Sequence, residues 1–312
     1  MPAMPTIPPT APVMVVNGKP IIKSEYDRAL AAYMQQFKQM TGSMHGKVDN
    51  ANITMKDEVL QQLVSRELLY QESAKFPSED QAAKIEEQLK GLRARFPNDE
   101  AYQEALKAQD LTEESLKDLV SRQVSVAHYV ETQIAPAAKV PDEEVKKFYE
   151  DNKERFVTPE QVKASHLLIR YPEGTKPEDE AYKQARAKAD DLQKKAKAGE
   201  DFAKLCQENS EDPGSKEDGG DLGFFTKDRM VEPFAKAAFA LKVNEVSDVV
   251  ETKFGFHVIK LFEHKDAVPH PFDEVKEDIA AYLNGQAIDK AVEKKIEELK
   301  TVAKIDVVAP HL

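Results

Sequence analysis

The chain has 312 residues, with 56 acidic against 44 basic side chains, a net charge of −12 and 41% hydrophobic residues. That length accommodates two domains, or one large domain with an insertion. The acidic balance argues against nonspecific nucleic-acid binding, which needs a Lys/Arg surplus to displace phosphate counterions; no apolar run approaches the ~20 residues of a membrane span, and a single cysteine, Cys206, excludes an internal disulfide.

Residues 1–12 form a Pro-rich tail with neither a basic n-region nor an apolar h-region. It does not read as a signal peptide, although a chain beginning after a removed signal would look the same. Asn17-Gly18 between Val13-Met14-Val15-Val16 and Ile21-Ile22 predicts a hairpin. Ser24, with Asp27 in the capping-box position, predicts a helix start, and Tyr26, Leu30, Tyr33, Phe37 and Met40 recur at core-facing spacing. A loop is expected over 41–52, then helices over 55–76, 78–96, 98–108 and 112–134, each stopped by a turn or a proline. Pro141-Asp142-Glu143-Glu144 opens one more, since proline suits a first turn and acidic side chains its positive dipole end.

At Val157-Thr158-Pro159-Glu160 the period switches from 3.6 to 2, which marks a domain boundary. A strand carrying His166 follows, then helices over 176–198 and 201–209, a glycine-rich turn at Gly219-Gly220-Asp221-Leu222-Gly223, a short helix over 233–240, and strands over 246–251 and around His257. Helical period returns over 273–300, where Gly285 interrupts a heptad-like pattern. Alternation over 303–308 predicts a last strand, whose unpaired backbone needs a partner; the N-terminal hairpin, itself short of a third strand, is the best one. Cys206, among Phe202 and Leu205, reads as a packed small hydrophobe. No Cys/His pair has zinc-ligand spacing, so neither metal nor cofactor is expected.

The strand Ala164-Ser165-His166-Leu167-Leu168-Ile169, the segment Ser210-Glu211-Asp212-Pro213-Gly214-Ser215, Gly219-Gly220-Asp221-Leu222-Gly223-Phe224, Met230-Val231-Glu232-Pro233-Phe234, Ala238-Phe239-Ala240-Leu241 and Thr252-Lys253-Phe254-Gly255-Phe256-His257-Val258-Ile259 stand in one order over about a third of the chain. Together they resemble the parvulin family of peptidyl-prolyl cis/trans isomerases. A second, weaker resemblance joins Val15-Val16-Asn17-Gly18-Lys19-Pro20-Ile21, Arg66-Glu67-Leu68-Leu69 and the segment from Val145 to Phe156 to bacterial extracytoplasmic foldases and periplasmic outer-membrane-protein chaperones. The fold class expected is α+β: a parvulin-like domain, with a four-stranded antiparallel sheet and about four helices, inserted in a mainly helical chaperone module closed by a small β element. The expected limits are 1–12 tail, 13–158 helical module, 159–266 isomerase-like domain, and 267–312 returning to the helical module.

Rotating an X-Pro bond crosses a barrier of ~18–20 kcal/mol set by amide resonance, and no covalent bond breaks. The chemistry asks for an apolar slot for the pyrrolidine ring, polar groups around the rotating carbonyl, and exclusion of water. By resemblance the slot falls on Leu222, Met230 and Phe234, with Phe225 beside them; the same residues would also serve as core. His166 and His257 map onto the family's paired histidines, which orient the site without acting as general bases. Asp212 occupies the place of a Cys or Asp beside the prolyl carbonyl; otherwise it is a turn residue before Pro213-Gly214. Ser165 and Thr252 either hydrogen-bond the histidines or fill strand positions, and Phe254 and Phe256 alternate around His257, with Phe254 counted with the substrate-binding set.

The loop 170–180 is predominantly acidic, which argues against phosphoserine-proline selectivity. The resemblance implies clients that are unfolded or partly folded polypeptides with X-Pro bonds, an extracytoplasmic and specifically periplasmic location, and scope for a homodimer through the helical module. A rival reading makes the chain a binding chaperone whose parvulin-like domain is a peptide-docking platform with little activity.

Overall fold

Asn17 and Gly18 take φ of 53° and 82°, the left-handed pair that a two-residue hairpin requires, and so join β1 (Pro12–Val16) to β2 (Lys19–Ile22) in antiparallel register. In this computed structural model residues 7–41 and 49–309 are described; parts of the expected tail and of the expected 41–52 loop fall outside them. The chain divides into two units, Met1–Val145 with Asp278–Leu312, and Lys146–Glu277.

α1 (Lys23–Thr41) does not use Ser24 as its cap. The Ser24 N–H donates to the Pro9 carbonyl, and the Glu25 carboxylate takes the Ile22 N–H at 3.1 Å, while Asp27 pairs with Lys23. Tyr26 is buried with Val13, Val16, Val59, Val64 and Leu68, and Leu30 and Tyr33 pack on that cluster. Phe37 is 44% exposed, because the cluster is fed by the hairpin and α1's first half; the side chain of Met40 lies outside the described residues. α2 (Asp49–Ser73) begins inside the expected loop. Asp49 and Asn50 are turn residues that also favour helix starts, so composition alone does not separate the two.

α3 (Gln81–Arg93), α4 (Asp99–Ala108) and α5 (Glu113–Tyr129) follow, α5 running on as a π-helical turn, Val130–Ile134. The Asn98 side chain accepts the Ala101 N–H at 2.8 Å, and Thr112 with Ser115 forms a reciprocal capping box at 3.1 and 2.8 Å. Each satisfies donors that a helix start leaves orphaned. Glu67 on α2, nearly buried, takes Arg122 of α5 at 2.6 Å, and Ile85, Val120 and Val124 make the α3–α5 contact apolar.

In the second unit come α6 (Asp142–Asp151), a 3-10 turn (Lys153–Phe156), β3 (Val157–Thr158) and β4 (Gln161–Ile169). They are followed by α7 (Glu180–Lys197), α8 (Phe202–Asn209), β5 (Asp221–Phe225), a 3-10 turn (Lys227–Arg229), α9 (Glu232–Ala240), β6 (Val250–Thr252), β7 (Gly255–Lys265) and β8 (Val268–Pro269). β3 and β8 pair as a short ribbon, and the other four form one antiparallel sheet in the order β5-β4-β7-β6. The fourth strand, β5, lies in the stretch read from sequence as a glycine-rich turn. Val246, expected inside a strand, makes only a bridge to Lys260.

β4 and β7 are buried on both faces. Leu167, Ile169, Phe256 and Val258 face α7 and α8, whose Ala185, Ala189, Leu192, Leu205 and Cys206 cover them. Val162, Ala164, Ile259 and Leu261 face α9 through Phe234 and Ala238. Period-2 alternation makes this division: each strand supplies one set to each layer.

α10 (Phe272–Val302) runs uninterrupted through Gly285, whose α-carbon looks into open space. One glycine costs a helix about 1 kcal/mol, too little to stop one this long. β9 (Ile305–Val307) then adds antiparallel to β1, completing the sheet β2-β1-β9 as expected. Ala291, Val292 and Ile296 of α10 pack with Leu69, Tyr129 and Ile134.

Candidate active site

His166 is the sixth residue of β4 and His257 the third of β7, and the two strands are hydrogen-bonded neighbours, with Leu168 opposite His257 and His166 opposite Ile259. Both imidazoles therefore lie on the α9 face, one diagonal step apart. Their rings stack at 5.3 Å and 18°, and their Nδ1 atoms are 3.1 Å apart. His166 Nε2 meets Asp212 Oδ2 at 2.9 Å, and Thr252 Oγ1 meets His257 Nε2 at 2.8 Å. The Ser215 hydroxyl donates to the same Asp212 oxygen at 2.6 Å, and the Phe254 N–H donates to Thr252 Oγ1 at 3.1 Å.

This chain has a definite proton order when both histidines are neutral and Asp212 is ionised. An ionised carboxylate only accepts, so His166 must donate from Nε2 and accept at Nδ1. His257 then donates from Nδ1 and accepts the Thr252 hydroxyl at Nε2. Each ring nitrogen is used once and the donors run in a consistent direction, from Thr252 to Asp212.

The electrostatics of His257 and Asp212 fit this order. Burial, followed by the charge that His166 can carry, pushes His257 down from its ordinary 6.5 to about 3, and Asp212 only partly counters this. Burial works to raise the Asp212 carboxyl, but the Ser215 hydroxyl and the His166 ring together hold it below the usual carboxylate range. Cys206, fully buried behind His166, donates its S–H to the His166 carbonyl at 3.3 Å. Burial lifts its thiol to about 12, so it is no nucleophile at neutral pH.

Backbone geometry places Asp212. Where β5 leaves the edge of β4, the segment after α8 takes over: the Ser210 hydroxyl accepts the Leu168 N–H at 3.2 Å and the Glu211 N–H donates to the Leu168 carbonyl at 2.8 Å. The next residue, Asp212, is thereby carried beside His166. On the same edge of β4, two residues back, the Gly220 carbonyl accepts the His166 N–H at 2.9 Å.

Phe234 stands edge-on to both imidazoles, at 5.6 Å from His166 and 5.3 Å from His257. Phe225 is 6.1 Å from Phe234, and Leu222 and Met230 pack half-buried on the same cluster. His166, His257, Asp212, Thr252, Phe234, Phe225, Leu222 and Met230 thus gather in one region.

Two expected residues fall elsewhere. Ser165 is adjacent to His166 on a strand, so alternation puts it on the opposite face, with Leu167 and Ile169. The Phe254 ring is 50% exposed beside Lys253, and it is the Phe254 backbone that reaches the polar chain. Phe256 is buried on the α7 and α8 side between Tyr171 and Tyr182. Ser215 is the hydrogen-bonding neighbour of Asp212 that residue-by-residue reading passed over, although a serine three residues after an aspartate across Pro-Gly is a local hydrogen-bonding pattern.

Residues 146–265 match the PPIC-type PPIase domain family, and residues 5–130 the SurA-like N-terminal domain family. Fold and site together define a parvulin-type peptidyl-prolyl isomerase with a SurA-like helical module. Foldase protein PrsA of Clostridium botulinum (strain Langeland / NCTC 10281 / Type F) is 32% identical over 303 residues, 93% of this chain and 86% of that protein. The same foldase of Clostridium tetani is 32% identical over 308 residues, 95% of this chain and 86% of its own length. The chain belongs to the PrsA foldase family. A solved structure of a SurA-like chaperone of Campylobacter jejuni is 30% identical, covers 95% of this chain and 99% of its own, and superposes with a TM-score of 0.51. Among the described residues no helix is long and apolar enough to cross a membrane.

Proposed function

We propose that the isomerase works by non-covalent stabilisation of a twisted X-Pro amide, with the pyrrolidine ring against Leu222, Met230, Phe225 and Phe234 and the rotating carbonyl beside the Asp212 end of the polar chain. The observation that carries this is the unbroken hydrogen-bonded series Thr252, His257, His166, Asp212, Ser215 set edge-on against Phe234. Twisting the amide draws negative charge off its carbonyl oxygen, so a fixed carboxylate beside that oxygen disfavours the planar forms more than the twisted one, without reorganising at the moment of rotation. The histidines hold tautomers and geometry; no proton has to leave the substrate.

The same proposal assigns isomerisation to 159–266 and client holding to 13–158 with 267–312, and takes exported, unfolded polypeptides in an extracytoplasmic, periplasmic compartment as the clients. Slow X-Pro rotation limits folding of many chains, so holding and isomerising in one molecule is physically coherent. A homodimer through the helical module belongs to it as well: Met34 on α1 is 49% exposed, and concentration-dependent sedimentation decides it.

A protease-coupled assay on an Ala-Pro-Phe peptide tests the central point. Catalysis above the uncatalysed rate is expected; a rate indistinguishable from it returns the domain to a docking platform. Met230→Ala is expected to lower kcat/KM about tenfold, the scale of one apolar wall lost from a pocket, with aggregation suppression of an unfolded client retained. Activity and thermal stability falling together would make Met230 core instead. Phe234→Ala is a poor version of this test, because Phe234 is 3% exposed and such truncations cost roughly 3–5 kcal/mol of stability.

A further inference from the structure

Between the 3-10 turn at Lys227–Arg229 and the outer side of α9 lies a groove of about 610 Å³, with Met230, Phe239 and Ala240 among its lining. Pockets of roughly 300–1,000 Å³ hold whole small ligands, so this one exceeds what a single pyrrolidine ring fills. It is not a separate place. Met230 belongs both to it and to the apolar cluster below the histidines. Phe239 continues the aromatic row away from His257, through Phe234 at 5.3 Å and Phe225 at 6.1 Å to Phe239 at 6.0 Å.

Its charges cancel. Lys227 and Lys236 are matched by Asp228 and Glu232 in the lining, and Lys227 is further occupied, with Nζ 2.6 Å from Glu160 and 4.9 Å from the Phe239 ring. A groove with an aromatic floor and no net charge selects by apolar surface.

Direction follows from the proposed binding mode, on which this inference rests. The carbonyl before the proline faces Asp212 and the ring lies by Phe234, so the onward chain leaves on the side away from the histidines. That side is where Phe239 lies. We propose that the groove is a second subsite, taking the side chain of the residue that follows the proline and selecting large apolar or aromatic groups there, with Phe239 as its floor.

Cis/trans exchange measured by NMR on Ala-Ala-Pro-Yaa-Ala peptides, with Yaa glycine, leucine or phenylalanine, tests this without a coupling protease that would itself read Yaa. For the unaltered full chain kcat/KM is expected to be at least about fivefold higher with leucine or phenylalanine than with glycine. In Phe239→Ala, and in Ala240→Glu, which places a carboxylate in the groove from an exposed helix end, that ratio is expected to fall towards one. Thermal melts of Ala240→Glu within a few degrees of the parent exclude a folding defect as the cause. A ratio near one in the parent, or a ratio unchanged in both variants, overturns the subsite while catalysis of the glycine peptide leaves the isomerase site standing. No acceleration of any peptide overturns both.

Discussion

Gly220→Ala is expected to unfold or severely loosen the isomerase unit while the helical unit keeps its helices. Gly220 has φ +81°, and a Cβ there would lie 2.3 Å from the His166 carbonyl oxygen and 2.8 Å from Cys206 Sγ. Neither neighbour can give way. The carbonyl is fixed within β4 and already takes the Cys206 S–H, and the Gly220 carbonyl is itself bonded to the His166 N–H. Left-handed backbone alone costs a residue with a Cβ about 1–2 kcal/mol, and a backbone clash adds to that, so a loss of at least about 3 kcal/mol is expected. Because the unit's stability as a whole is only of order 5–15 kcal/mol, activity should fall sharply at 37 °C. Chemical denaturation followed by His166 and His257 ring signals measures this; a variant with the parent's midpoint and activity would show that β5 sits further from β4 than described. Gly223→Ala is the control, since its added Cβ meets nothing within 4 Å, although its φ of +63° carries the backbone term.

Gly220 also shows where sequence reading stopped. Gly219, Gly220 and Gly223 are poor strand formers, and the stretch reads as a turn on propensity. Gly219 and Gly220 do remain in a turn, but Asp221–Phe225, with Gly223 inside it, becomes β5 because β4 offers an open edge, and just before it only glycine at 220 tolerates so close an approach to β4, tertiary demands that no local pattern displays. The Asn17-Gly18 hairpin, the helices from α3 to α5 and the C-terminal strand's return to β1 were legible because each rests on local chemistry: paired left-handed residues, capping side chains, and an edge lacking a partner. The paired histidines were legible as a combination, since two strands each bearing one are of use to each other only if adjacent. Ser165 was decidable from alternation alone: a residue next to His166 on a strand cannot share its face. Ser215 and the route of the Ser210-Glu211 segment along β4 were not, because they depend on where β5 ends.

In the proposed mechanism both imidazoles stay on a strand floor, hold its geometry and carry no catalytic proton. Charging His257 would supply a donor at Nε2 and oblige the Thr252 hydroxyl to turn away, and it would place a cation in a buried site. With both rings neutral the negative end of the chain lies at Asp212, the more accessible of the pair: its side chain is 22% accessible against 9% for His166. In the proposed binding mode a substrate carbonyl approaching from outside would meet the carboxylate end of the chain, with the apolar ring of Phe234 deeper in. Polarity graded in this way would distinguish the two ends of an X-Pro unit before any rotation begins.

Acid should consequently destabilise the isomerase unit well above the range of its carboxylates. His257 binds its proton near 6.5 when unfolded and only near 3 when folded, so between those values the unfolded state binds one proton more. Stability is then full above about pH 6.5 and is lost as pH falls, at roughly 1.4 kcal/mol per unit. Asp212 acts lower down: its folded value is depressed, so its contribution is present above the ordinary carboxyl range and lost only beneath it. The interval from pH 6.5 to 5 isolates the histidine, and a fall of about 2 kcal/mol across it is expected. Denaturation midpoints of the isomerase unit at pH 7, 6 and 5 measure the slope. His257→Asn, which keeps a polar side chain but cannot titrate, should be less stable at pH 7 and lose much less on going to pH 5. A parent slope near zero, or equal slopes in parent and variant, would mean that His257 is charged in the folded unit, and the neutral proton order from Thr252 to Asp212 would then be wrong.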